Sequence, residues 1–146
     1  MNGKVAIFSG RFSPIHIGHV LTILKLLDKY SSVVVVILDY EDRTLTADEV
    51  KSIVERIFEH NSKGRVIAIV NNIHFAKITK KEYLSLLSDF DINVNDAIYV
   101  SGNEEVLKNF DKLGIEHEHM PRSCGFSGTE IRETVADIHK YYSMCS

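Results

Sequence analysis

Val33-Val34-Val35-Val36-Ile37-Leu38 is an unbroken aliphatic run, mostly β-branched, with no polar position to turn toward water. A strand with one wet face alternates. This run predicts instead a strand covered on both faces, as in the middle of a parallel sheet. It is far short of the roughly 20 apolar residues that span a bilayer. Before it, Val5 to Ser9 predicts another strand, and Val20 to Tyr30 a helix with Val20, Ile23, Leu24 and Leu27 on one face. After it comes the loop Asp39-Tyr40-Glu41-Asp42-Arg43, and then Thr46-Ala47-Asp48-Glu49 has the form of a capping box. The helix it opens runs toward His60, with Val50, Ile53, Val54, Ile57 and Phe58 as its stripe.

The same alternation continues down the chain. Strands are expected over Arg65 to Val70, Ala97 to Val100 and Ile115 to Met120, and helices over Lys80 to Asp89 and Glu104 to Leu113. A last helix, Gly128 to Tyr142, would have Ser127 as its N-cap. Strands alternating with helices predict an α/β domain over residues 1–146, a doubly wound sheet of about five parallel strands with helices on both faces. In such sheets ligands bind beyond the carboxyl ends of the strands. The loops at 9–19, 39–43, 71–77, 101–103 and 121–129 each follow a strand, so all fall on that edge.

Composition narrows the function. The chain is 45% hydrophobic with a net charge of −3, and its Lys and Arg are dispersed, which argues against nucleic acid or a membrane surface as partner. No secretory leader precedes the first strand, so a cytoplasmic protein is expected. Cys124 and Cys145 form no CxxC and are expected as thiols in a reducing compartment. Cys124 reads either as a small semi-buried residue or as a thiol near a site. His117 and His119 alternate along a strand, either as an ordinary strand pair or as metal ligands, but no third ligand joins them. His60 and His139 read as surface residues.

The stretch with most chemistry is Gly10-Arg11-Phe12-Ser13-Pro14-Ile15-His16-Ile17-Gly18-His19, a turn between the first strand and the first helix. Helix starts carry unpaired N–H groups and a partial positive charge, so they attract phosphate. Neither GxGxxG nor GxxxxGK followed by Ser or Thr is present, so the dinucleotide fingerprint and the P-loop are excluded. In their place stand HxGH at His16 to His19 and Ser127-Gly128-Thr129-Glu130-Ile131-Arg132 near the far end. There hydroxyls, amides and a guanidinium would meet a phosphate together.

This pair of motifs resembles the HxGH nucleotidyltransferase superfamily, the cytidylyltransferase-like enzymes with a Rossmann-like sheet. Gly10 to His19 is similar to the GRFxPxHxGH form of archaeal-type nicotinamide mononucleotide adenylyltransferases. Ser127 to Arg132 is similar to their SGTEIR, and Ser101-Gly102-Asn103 to their SGN segment. The chain departs from that pattern at Val50, where the family has Arg after Glu, and in having no Trp. Arg122 to Ser127 also resembles the RTxGxS context of cytidylyltransferases.

The resemblance implies transfer of a nucleoside monophosphate, with ATP favoured as donor, to a small phosphorylated acceptor, and release of pyrophosphate. It implies His16, His19 and Arg132 as catalytic residues. Ser9, Gly10, Arg11, Phe12 and Gly18 are implied at the nucleotide. So are Ser101, Gly102 and Asn103 from the middle of the chain, and Phe126, Ser127 and Thr129 from its end. Asp39, Arg43, Asn72 and His74 are candidates for the acceptor. Mg²⁺ would come with the nucleotide, since the motifs offer no carboxylate cage. Family members are often homo-oligomers, and no residue here singles out an interface. A cytidylyltransferase using CTP and a phosphorylated alcohol or sugar stays open, as does a catalytically silent nucleotide-binding regulator.

Overall fold

Val33 to Leu38 forms the C-terminal part of strand β2 (Tyr30–Leu38), flanked by β1 (Asn2–Gly10) and β3 (Val66–Asn71). In the computed structural model, which describes residues 2–12, 15–39, 45–59 and 64–120, these strands join β4 (Ala97–Ser101) and β5 (His117–His119) in one sheet of order β3-β2-β1-β4-β5. All four pairings are parallel. The helices are α1 (Ile17–Lys29), α2 (Ala47–Phe58), α3 (Lys80–Ser88) and α4 (Glu104–Leu113), with a short 3₁₀ turn at Val94–Asp96. Among the described residues no helix is long and apolar enough to cross a membrane.

The aliphatic run is buried on both sides, as its composition requires. Val33, Val35 and Ile37 pack on Ile23, Leu26, Val50, Val54 and Phe58, so α1 and α2 cover one face. Val34, Val36 and Leu38 pack with Tyr83, Leu87 and Phe110 of α3 and α4 on the other. Burying each such side chain contributes roughly 1.5–3 kcal/mol, which makes this strand the anchor of the sheet.

Several boundaries differ from the sequence reading, one of them through contacts made at a distance. Tyr30, expected at the end of the first helix, opens β2 with extended backbone (φ −118°, ψ 158°). The cause lies far away in sequence: Arg65 donates to the carbonyls of Leu27 (2.6 Å), Tyr30 (2.9 Å) and Ser31 (2.8 Å), ending the helix there. The Tyr30 hydroxyl then donates to Glu118 at 2.5 Å, and Lys29 Nζ reaches the same carboxylate at 2.7 Å. Burial pushes the Glu118 carboxyl up, but the hydrogen bonds from Lys29 and Tyr30 outweigh it and leave its pKa below the ordinary value. The last strand is also shorter than expected. The half-buried His117 places Nε2 at 2.9 Å from Asp111 and Nδ1 at 2.7 Å from the Ile115 carbonyl, so both its ring nitrogens face acceptors of its own fold.

Candidate active site

The two histidines expected at the site fall at the first turn of α1. The helix begins at Ile17 rather than Val20, so His16 is its N-cap (φ −144°, ψ 174°) and His19 its third residue. The Gly18 N–H donates to His16 Nδ1 at 3.0 Å, and the His16 N–H donates to His19 Nδ1 at 3.1 Å. Each imidazole thus satisfies a backbone donor that a helix start would otherwise leave unpaired. A ring nitrogen that accepts holds no proton, so each neutral ring carries its proton on Nε2.

The rest of each ring is held by packing. The two imidazoles lie 3.8 Å apart between centroids, tilted by 31°. His16 is 5% exposed, and its Nε2 is buried with no hydrogen-bond partner among the described residues. An N–H left unpaired in the interior costs roughly 1–3 kcal/mol, so this one is a donor awaiting an acceptor. Burial drives the His16 pKa down to about 4. Burial, and after it the neighbouring His16, holds His19 well below the ordinary histidine value. At neutral pH the pair is uncharged and presents N–H dipoles. No acidic residue occupies the first turn of α1, so its positive end is not neutralised from within.

The fold sets other expected site residues around this turn. Strand order places the ends of β1 and β4 side by side, so Arg11 and Phe12 after the one and Gly102 and Asn103 after the other follow the sheet where the order reverses. Gly18 is buried, and its carbonyl accepts from Thr22 Oγ1 at 2.9 Å. Arg11 is half-buried in the loop. Phe12 is 3% exposed, its ring turned to His19. The Ser9 hydroxyl hydrogen-bonds that of Tyr99.

Beyond β4, the Asn103 N–H donates to Ser101 Oγ at 3.0 Å, while Asn103 Oδ1 caps α4 by accepting from Glu105 (3.0 Å) and Val106 (3.4 Å). A Cβ on Gly102 would come within 3.0 Å of the Met120 carbonyl, so glycine permits the β4 and β5 ends to approach. Asp39, Asn72 and His74 are exposed on the same edge, after β2 and β3. Arg43, Phe126, Ser127, Thr129 and Arg132 lie outside the described residues, as do Cys124, His60 and His139.

Two residues at this edge escaped the sequence reading. Tyr99 stacks between Phe75 and Phe110 and supplies the partner of Ser9. Asn109, in α4, donates to the carbonyls of Phe75 (3.0 Å) and Ile78 (3.1 Å) and so pins the loop after β3. An Asn next to the buried Phe110 in mid-helix was the available signal, since Asn there has low helix propensity.

The chain as a whole matches a known family by sequence. The family model for cytidylyltransferase-like proteins matches residues 7–134. The chain belongs to that family. It is a nucleotidyltransferase. A curated member, the nicotinamide-nucleotide adenylyltransferase of Aeropyrum pernix, is 30% identical over 93% of this chain and 81% of its own length. By fold, the chain is similar to the bifunctional NMN adenylyltransferase/ADP ribose pyrophosphatase from Francisella tularensis, with TM-score 0.72 and 17% identity over 99% of this chain. It spans only 46% of that bifunctional chain. A second structure of that protein is complexed with AMP and Mn ion. The NadR protein in complex with NR is similar at TM-score 0.71 and 18% identity, over 97% of this chain and 43% of its own.

Proposed function

We propose that this family member is a cytoplasmic nicotinamide mononucleotide adenylyltransferase that uses ATP with Mg²⁺. A phosphate oxygen of the acceptor attacks the α-phosphorus of ATP and forms the new P–O bond. The bond from that phosphorus to the bridging oxygen breaks, and its electron pair leaves with pyrophosphate. No covalent enzyme intermediate is needed, so the residues act by alignment and by stabilising charge on the phosphate oxygens.

The observation that carries this reading is the buried Nε2–H of His16, without a hydrogen-bond partner among the described residues, beside the similarly oriented His19 at a helix start without acids. Two neutral N–H donors and the positive end of α1 suit a triphosphate, with His19 assigned to the bridging oxygen. Ser101, Gly102 and Asn103 would border the nucleotide, and Arg132 with the amides near Ser127 and Thr129 would hold its outer phosphates. The cation would arrive on the nucleotide and there reduce the charge on its phosphates. Asp39, Asn72 and His74, with Arg43, would contact the acceptor. The likeness to the Aeropyrum enzyme supports nicotinamide mononucleotide in that place.

The test is pyrophosphate release from ATP, CTP, GTP and UTP, each with Mg²⁺, against nicotinamide mononucleotide, glycerol phosphate and other phosphorylated acceptors. ATP with nicotinamide mononucleotide should be the fastest pair. Turnover with CTP and a phosphorylated alcohol instead would make the chain a cytidylyltransferase, and nucleotide binding without turnover a regulator.

A further inference from the structure

We infer that Phe12 is a positioning residue, whose ring, seated on Gly10, locks the His19 imidazole in the orientation that aims its Nε2–H. The proposal rests on the adenylyltransferase reading for its catalytic consequence, and on geometry alone for the lock. Phe12 has φ +48°, in the left-handed region that a bulky L residue rarely adopts. Such strain persists only where the surroundings enforce it, and here the ring is 3% exposed.

The ring's neighbours explain what the strain holds in place. Its centroid lies 4.7 Å from that of His19, edge to face at 84°, and 5.6 Å from that of Phe8. Beneath it is Gly10, where an added Cβ would stand 3.1 Å from Cζ and 3.2 Å from Cε1 of Phe12. A side chain at position 10 would therefore displace the ring from its seat against His19. His19 also meets the His16 ring, 3.8 Å between centroids, and its Nδ1 is held by the His16 N–H. That one hydrogen bond leaves the imidazole free to swing about it. The Phe12 and His16 rings remove this freedom.

The test is a double-mutant cycle of Phe12→Leu and Gly10→Ala, with two readouts. One is the imidazole ¹⁵N–¹H and ring ¹³C–¹H spectrum of the unliganded protein, whose His19 shifts and line widths report the packing and motion of that ring without any turnover. The other is kcat and the KM for ATP. In Phe12→Leu the sharp His19 ring signals should shift and broaden. Its kcat should fall about 10- to 100-fold, with KM for ATP within about threefold. Gly10→Ala should act in the same direction when Phe12 is present and have little further effect in the Phe12→Leu background. If Phe12→Leu does not fold, Gly10→Ala alone must shift the His19 signals in a folded protein. Unchanged His19 signals in folded variants, or an equal Gly10→Ala effect in both backgrounds, would overturn the lock. Normal His19 behaviour in a wild-type protein with no turnover on any substrate pair would instead overturn the function and leave the lock standing.

Discussion

The N-terminus of α1 and those of α2 and α3 are built on the same plan from different side chains. Thr46 and Glu49 exchange hydrogen bonds at the start of α2 (3.1 and 3.4 Å), and Thr79 and Glu82 do so at α3 (both 3.1 Å). At α1 the corresponding places are held by His16 and His19. A Thr–Glu box satisfies the backbone and adds an acid that complements the helix dipole. Imidazoles satisfy the backbone with Nδ1 and still carry a donor on Nε2. The acids at α2 repel an anion, whereas α1 leaves both its dipole and its N–H groups for one. The difference separates a cap that only starts a helix from one whose rings also present N–H donors.

Putting the ordinary plan into α1 should have the largest effect. His16→Thr with His19→Gln keeps a capping box and removes both imidazoles, so turnover should fall by about 10³-fold or more while stability changes by no more than about 1–2 kcal/mol. Pyrophosphate release and thermal melts read the two quantities. Turnover within about tenfold of wild type would reduce the histidines to caps. Next in size, Asn103→Asp preserves the α4 cap but sets a negative charge at the sheet edge. The KM for ATP should rise about tenfold with the melting temperature unchanged. An unaltered KM would group Asn103 with Thr46 and Thr79 as a cap alone.

Acid should separate the two kinds of cap less sharply. The folded pKa of His16, and that of His19, lie below the unfolded value near 6.5, so the unfolded chain binds more protons on acidification. The stability tied to the neutral rings is full above about pH 6.5 and is lost as pH falls toward about 4. Allowing for residual hydration, the loss should be about 1–2 kcal/mol, or about 3–6 °C in melting temperature. The His16→Thr/His19→Gln protein should show a flatter profile over that interval, and a parallel profile would place the titration elsewhere. The smallest effect is expected at α2, where Thr46→Ala should cost about 1 kcal/mol without changing kcat, as thermal melts and initial rates can check.

Pattern alone determined the class of this fold. Six aliphatic residues in a row allow no wet face, and alternation with amphipathic helices then leaves a parallel sheet as the consistent arrangement. The motifs at Gly10 to His19 and Ser127 to Arg132 likewise carried the reaction class, because residue type at fixed spacing is a local property. What the chain does at a distance was not legible. Arg65 ends α1 across the sheet, Asn109 pins the loop after β3, and Tyr99 meets Ser9, all through contacts that spacing does not encode. The motif itself changed meaning in the same way. As sequence it was a turn and a helix start carrying two histidines of undetermined charge. Only the tertiary structure decided that charge, because backbone N–H groups took both Nδ1 atoms and burial kept both rings neutral.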